Sequence, residues 1–311
     1  MIGWDDIYKV VAAMFPLYVA LILGYGSVKW WHMFNSDHCD AINRLSCYFI
    51  MPLFTFDFTT RIDPYKMNYR FIVADVISKA IILLAISLWA NFTNKGNYPW
   101  SITCFSLSSL NNTLVVGVPL MAAMYGPLGE NLVIKSSILQ FMFWIMILLL
   151  MFEFQRAKRS LDSDVSSIDT RKRTSLLILT KIVAIKLAKN PNSYACVMGL
   201  LWALMSNRWN LEMPIIIKGS VQIMSRAGAG VAMFCMGLVM SMQEKMIECS
   251  AKLAVLGMVL RFMVAPATMA VGSFLVGLRG NILHVAIIQV SKTGFHSLSL
   301  TYVHKLLASI A

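Results

Sequence analysis

Two groups of polar residues stand inside segments that are otherwise apolar enough to cross a membrane. In "FIVADVISKAIILL", Asp75 and Lys79 are four residues apart and therefore share one face of a helix. Residues 96–129 include no charged side chain over 34 positions, yet two adjacent asparagines, Asn111 and Asn112, stand near the middle. Carboxylate, ammonium and amide groups at such depth indicate ligand binding or proton transfer.

The stretch "SSLNNTLVVGVPL", residues 108–120, predicts a helix that is interrupted within the membrane. Backbone polar groups freed in hydrocarbon are tolerated only where they are buried in protein or line an aqueous cavity. In transporters such breaks mark the substrate site, because the N-terminus of a half-helix offers N–H donors and partial positive charge. The amides of Asn111 and Asn112 add donors suited to a carboxylate. The alternative is a proline-kinked helix whose asparagines bond to neighbouring helices.

The pair formed by Asp75 and Lys79 has two interpretations. Each charge near the bilayer centre costs roughly 3 kcal/mol on insertion scales, so we expect both side chains to face protein or water, and each other. Beside a pocket they could orient polar groups or take up a proton. The alternatives are a pair that fixes helix packing, or a lysine that reaches the membrane surface.

Other polar residues stand at a similar depth in the predicted spans, namely Thr55, Gln140, Arg226 and Arg261. Taken singly, such residues are more often hydrogen-bond partners between helices than ligand contacts. The arginines are costlier to bury, and either could balance a negative substrate. The histidines and cysteines show neither an HExxH nor a CxxC spacing. We therefore expect no metal, no cofactor and no enzymatic activity.

The composition indicates an all-α integral membrane protein. Of the 311 residues, 58% are hydrophobic and 14% charged, and the mean hydropathy is +0.67, whereas soluble domains are about half apolar and one quarter charged. The net charge of +12 comes from connections between spans and does not indicate nucleic-acid binding. Nine apolar spans are predicted, at 7–28, 42–60, 71–92, 100–125, 133–154, 182–206, 215–242, 253–278 and from 282 onward.

A basic segment divides these spans into two groups. Six arginines and lysines lie in residues 155–175, "QRAKRSLDSDVSSIDTRKRTS", which places that loop in the cytosol by the positive-inside rule. Five spans precede it, and a second copy of an odd-numbered unit would be inverted, as in many secondary transporters. The first span of each group begins with a similar sequence, "FPLYVALILGYG" in the first group and "NPNSYACVMGLLWAL" in the second. We predict a first five-helix repeat at 1–155, a cytosolic loop at 156–176 and a second repeat at 177–289.

Long stretches resemble the PIN-FORMED auxin efflux carriers of plants, among them "CDAINRLSCYFIMPLFTF", "MNYRFIVADVISKAIILLAISLWA", "SLSSLNNTLVVGVPLMAAMYG" and "KLAKNPNSYACVMGLLWALMSNRWNLEMP". With about twenty residues between the halves, the chain resembles short members, which are associated with the endoplasmic reticulum membrane. The plasma membrane is the alternative location. The resemblance implies two inverted five-helix repeats, a homodimeric scaffold in the membrane lipid, and an elevator-like movement. The implied substrate is the indole-3-acetate anion.

The resemblance also implies which residues form the substrate site. Asn112, with Asn111 beside it, matches the crossing of two interrupted helices, and Thr55 stands where a small hydroxyl residue lines the site. A polar cluster of Asp75, Lys79 and Gln140 supports it.

The chain departs from the family at two places. At the crossing, the family sequence is Leu-Pro-Asn-Thr, whereas here Asn111 replaces the proline. We therefore expect the interruption of the helix to be less rigid than in the family. After "HVAIIQ" the sequence no longer matches the family pattern, so we expect an incomplete second repeat with an atypical tail at 290–311. Translated intron is our hypothesis for the tail, and a divergent genuine terminus is the alternative. Such a chain could be a non-transporting member that dimerises with complete carriers and regulates them.

Overall fold

The computed structural model describes residues 4–66, 68–92, 98–109, 113–145, 190–242 and 258–291, with isolated positions at 147–148, 150–151, 181, 185 and 255. Throughout these residues every regular element is helical. Three helices are long and apolar enough to span a bilayer, at Ile7–Lys29, Tyr69–Trp89 and Ile215–Ser241. The predicted all-helical class and these three spans are therefore confirmed.

Up to residue 145, the described residues form six α-helices. They are α1 (Trp4–Lys29), α2 (Ser36–Leu45), α3 (Met51–Thr60), α4 (Tyr69–Phe92), α5 (Tyr98–Ser109) and α6 (Val118–Leu139). A short 3-10 turn, Pro64–Lys66, precedes α4. Helix α6 covers parts of two predicted spans. It is kinked between them, because Gly126 adopts a positive φ of 61° directly before Pro127.

The described residues of the second part include four α-helices, α7 (Pro191–Trp209), α8 (Ile215–Ser241), α9 (Ala265–Val276) and α10 (Asn281–Ser291). Helix α7 begins at a strong start signal, since Pro191 occupies the first turn and the Asn190 side chain accepts a hydrogen bond from the Asn192 N–H at 3.0 Å. The residues that cap the C-termini of α7 and α9 are Asn210 and Gly277, and both adopt the left-handed conformation that commonly terminates helices. The predicted tail from residue 292 onward lies outside the described residues.

In the part of the chain that the structure describes, four π-helical segments interrupt the regular helices, at Ser46–Ile50, Thr113–Gly117, Gln140–Trp144 and Leu260–Val264. Three of them end two residues before a proline, namely Pro52, Pro119 and Pro266. Proline lacks an N–H and its ring displaces the carbonyl four residues earlier. The wider π turn accommodates that displacement: the Met51 N–H reaches back to the Ser46 carbonyl. The prolines thus place irregular backbone inside the helical bundle.

Close backbone contacts hold the long helices together. Helix α1 packs on α8, α3 lies between α7 and α8, and α9 packs on α4. Glycines permit the nearest approaches: a Cβ at Gly24 would run into the Phe234 carbonyl, and one at Gly237 would run into the Leu21 carbonyl. The buried apolar cluster that includes Phe105, Met121 and Val133 fills the space around α5 and α6.

Candidate functional site

A buried ion pair lies at the centre of α4. Lys79 Nζ is 2.8 Å from Asp75 Oδ2, and their side chains are 5% and 2% exposed. The sequence spacing of four residues puts both groups on one face, and the structure places that face inside the protein. Neither charge faces lipid, and the Lys79 side chain stays with Asp75 rather than reaching the membrane surface.

An aromatic wall connects this ion pair to α5. The Lys79 ammonium lies 5.4 Å from the centre of the Trp144 ring, within the range of a cation–π interaction. On its other side Trp144 contacts Phe105, with ring centres 6.3 Å apart. Trp144 ends the π-helical segment that Gln140 begins, and Gln140 is 3% exposed. The predicted polar cluster of Asp75, Lys79 and Gln140 therefore lies on two segments that meet at Trp144.

Three buried donors, on Trp144 and on the two residues that flank the predicted crossing in sequence, have unmet hydrogen-bonding capacity. Trp144 Nε1, Ser109 Oγ and Thr113 Oγ1 have no hydrogen-bond partner among the residues that the structure describes. Ser109 is one helical turn after Phe105, and Thr113 begins the next π-helical segment. A buried N–H or O–H without a partner is unfavourable, so such groups commonly mark water or ligand contacts.

The residues predicted to form the crossing of the interrupted helices stand in the sequence between Ser109 and Thr113. Leu110, Asn111 and Asn112 are outside the described residues. The flanking backbone changes type, since α5 ends at Ser109 and a π-helical segment begins at Thr113. Asn111 and Asn112 therefore stay predictions as ligand contacts.

The side chain of Thr55 forms a hydrogen bond between α3 and α7. Its hydroxyl donates to Asn192 Oδ1 at 2.6 Å, and the side chain is 1% exposed. Asn192 lies in the first turn of α7, and α7 also contacts the π-helical segment that begins with Gln140. Thr55 and Gln140 thus stand on elements that share a neighbour. Sequence reasoning did not single out Asn192, although the helix start "NPN" was a signal for it.

We expect replacement of Thr55 by valine to lower the free energy of unfolding by about 1–2 kcal/mol, because the half-buried amide of Asn192 loses its donor. Thr55→Ser keeps the hydroxyl and should retain most of the stability. Thr60→Val is the matched control, since the Thr60 hydroxyl bonds only to the Asp57 carbonyl of its own helix at 2.8 Å. Unfolding of the full chain in mixed micelles measures all three. Equal losses at positions 55 and 60 would contradict the prediction.

Arg261 is another buried charge that the structure places near the crossing. It is 0% exposed and lies in the π-helical segment Leu260–Val264, which contacts α5. The sequence placed Arg261 within a predicted span, where it could balance a negative substrate or lie near the span end. The structure instead encloses it in the bundle. Helices α4 and α9 are joined nearby by the hydroxyls of Ser78 and Thr268, 3.1 Å apart.

This arrangement provides binding chemistry. Among the described residues no group of three histidine, cysteine, aspartate or glutamate side chains is placed to hold a metal ion. The site instead combines hydrogen-bond donors, a buried ion pair and aromatic rings. Donors with an adjacent aromatic wall suit a small anion with an apolar body.

Comparisons with known proteins agree with this picture. Residues 9–303 match the membrane transport protein family. Auxin efflux carrier component 5 of Arabidopsis thaliana is 54% identical over 304 residues, covering 94% of this chain and 87% of that protein. Probable auxin efflux carrier component 5a of Oryza sativa subsp. japonica is 48% identical over 316 residues, with the same two shares. Auxin efflux carrier component 3 of Arabidopsis thaliana is 51% identical over 158 residues, which are 51% of this chain and 25% of that longer protein.

The similarity to component 5 extends over nearly the whole of both chains, whereas component 3 matches over one quarter of its length. This pattern confirms the resemblance to a short-loop member. It also confirms that the chain is a transport protein and not an enzyme. With buried charges and donors inside an apolar helical bundle, this chain belongs to the membrane transport protein family and, within it, to the PIN-FORMED auxin efflux carriers.

Proposed function

We propose that this protein carries auxin, as the indole-3-acetate anion, across a membrane. The observation that carries the proposal is the set of buried, unpartnered donors, Ser109, Thr113 and Trp144, around the predicted crossing. A carboxylate accepts from such donors, and a buried charge-assisted hydrogen bond is stronger than a neutral one. Nearby relatives named as auxin efflux carriers support the choice of substrate.

The substrate site comprises the crossing and the wall beside it. Asn112 and Asn111 donate to the carboxylate, while the indole ring packs against apolar and aromatic side chains. The ion pair of Asp75 and Lys79 fixes the position of Trp144 through the cation–π contact. Gln140 and Thr55 complete the polar lining from the neighbouring helices. No metal and no cofactor take part.

Alternating access in this proposal comes from two inverted repeats. Helix packing supports it, because α1 contacts α8 while α7 contacts α3, as expected if the repeats exchange partners. Gly24 follows Pro16 by eight residues, and Gly199 follows Pro191 by the same number. Both glycines lie at a close helix contact, Gly24 against Phe234 and Gly199 against Thr59. A matching proline-to-glycine spacing at matching contacts is what an internal repeat predicts.

The same packing suggests which helices move. Helices α1, α3, α7 and α8 form one connected group, the proposed scaffold, and α4 and α9 form a second pair. We assign the second group, with the crossing, to the mobile transport unit of an elevator-like mechanism. The scaffold forms a homodimer. By analogy with short members, the protein acts in the endoplasmic reticulum membrane, between lumen and cytosol.

Flux of radiolabelled indole-3-acetate into vesicles that contain the full chain tests the function. We expect saturable flux, and we expect Asn112→Ala to reduce it about tenfold, because one charge-assisted hydrogen bond is lost. Asn131→Ala is the matched control: Asn131 is exposed, and its amide bonds only to the Pro127 carbonyl at 2.8 Å. It should transport like the unchanged protein.

Flux no higher than in empty vesicles, from protein shown to be folded and inserted, would contradict the proposal. A reduced flux of a complete carrier on co-expression would then favour the non-transporting, regulatory alternative.

A further inference from the structure

A second polar site lies on the scaffold, between α3 and α8. A cavity of about 510 Å³ is lined there by Phe54, Asp57, Phe58, Arg61, Ser225 and Arg226, among others. Asp57 and Thr55 are two residues apart on α3 and bond to different helices, Thr55 to α7 and Asp57 to α8. The cavity is therefore on another side of α3 from the contact that Thr55 makes.

The carboxylate of Asp57 is already satisfied. It accepts from Arg61 Nη2 at 2.6 Å and from the Ser225 hydroxyl at 2.7 Å, and the residue is 7% exposed. Arg61 also lies over the Phe58 ring, 5.3 Å from its centre. These contacts hold the Arg61 guanidinium at the mouth of the cavity, with the Arg61 side chain half exposed.

Arg226 supplies a second cation to the same cavity and has no hydrogen bond or ion pair with any residue that the structure describes. With one aspartate against two arginines, the cavity has one positive charge in excess. Arg226 is exposed, and it stands 11 residues into α8, about 16 Å along the helix. An exposed arginine at that depth in a bilayer requires an anionic partner or water.

Exposed apolar side chains lie beside Arg226 on α8. Ile216 and Ile223 are 84% and 73% exposed. They are seven residues apart, and Ile223 is three residues before Arg226, so the three side chains share one face of the helix. A cation beside an exposed apolar strip matches the two halves of one molecule, an anionic headgroup and an acyl chain.

We infer that this cavity binds the headgroup of an anionic phospholipid. Its phosphate pairs with Arg226 and contacts the outer side of Arg61, and one acyl chain covers Ile216 and Ile223. Arginine suits phosphate because its guanidinium presents several donors in one plane. Local thinning of the bilayer brings the phosphate to this depth. The inference is independent of the proposed substrate site and of auxin transport.

Native mass spectrometry of the purified full chain tests the site. Equal amounts of phosphatidylglycerol and phosphatidylcholine are added, and the lipids that stay bound are counted. We expect phosphatidylglycerol to be preferred, and Arg226→Gln to reduce that preference at least about fivefold. Arg226→Lys keeps the charge and should retain most of it. Lys218→Gln is the matched control, because Lys218 is an exposed cation of α8 outside the cavity lining.

Three results would overturn the inference. Equal retention of both lipids would exclude anion selectivity, and an equal effect of Lys218→Gln would indicate general surface charge. Full displacement by millimolar inorganic phosphate would assign the cavity to a free anion. Ile223→Cys adds a test of a protein occupant: rapid disulfide formation between two copies in the membrane would show that a second copy, and not lipid, covers this face.

Discussion

Replacing Lys79 by methionine is expected to lower the free energy of unfolding by about 3–5 kcal/mol, because the carboxylate of Asp75 then stays buried without its cation. The two side chains are almost fully enclosed, at 5% and 2% exposure, so solvent cannot substitute for the lost partner. Trp144 loses its cation–π contact in the same variant. We expect auxin flux to fall to the level of empty vesicles.

The variant that lacks both charges separates stability from transport. Asp75→Asn combined with Lys79→Met removes the buried ions together and should recover most of the lost stability, since paired removal is often nearly neutral. Chemical unfolding in mixed micelles measures the recovery, and flux is measured on the same preparation. A stable double variant without flux would assign the pair to the substrate site. Normal flux would limit the pair to packing.

A second ion pair with the same spacing is the internal control. Arg61 and Asp57 are also four residues apart and 2.6 Å from each other, but Arg61 is half exposed. Because Arg61 is half exposed and the Ser225 hydroxyl still donates to Asp57, Arg61→Met should cost only about 1 kcal/mol. If Arg61→Met and Lys79→Met were equally destabilising, burial would not be the reason for the effect.

We expect the second large effect at the crossing of α1 and α8. Gly24→Ala and Gly237→Ala should each lower the free energy of unfolding by roughly 2–4 kcal/mol, because each new methyl group meets a backbone carbonyl of the facing helix. A backbone cannot rotate away as a side chain does, so the two helices must separate. Separation also opens the packing of the proposed scaffold.

Gly230→Ala is the matched control for this prediction. Gly230 lies in α8, seven residues before Gly237, and a Cβ there would have no atom within 4 Å. Alanine favours the helix by about 1 kcal/mol over glycine, so this variant should be neutral or slightly more stable. Thermal unfolding of the full chain in the same detergent compares the three variants. A loss at Gly230 as large as at Gly24 would show that close packing does not cause the effect.

The residues of the candidate site differ in how far the sequence predicted them. Because residues four positions apart lie on the same face of a helix, the spacing of Asp75 and Lys79 was enough to expect an ion pair. The role of Trp144 was not predicted, since an aromatic residue in an apolar span has no distinguishing local pattern. Its place between Lys79 and Phe105 depends on how α4, α5 and the Gln140–Trp144 segment pack.

The sequence by itself determined the helical class, the main spans and the shared helix face of Asp75 and Lys79, whereas the structure decided that this face is enclosed. The sequence-determined features follow from local rules, because a long apolar segment can satisfy all its backbone hydrogen bonds in a bilayer as a helix, and because residues four apart share one helix face. Only the tertiary structure decided that Thr55 bonds Asn192, 137 residues away, and that Asp57 bonds Ser225, 168 residues away. Lipid is as apolar as the contacts between helices, so hydropathy shows which segments span the membrane, whereas close glycine contacts and π turns decide which helix faces meet.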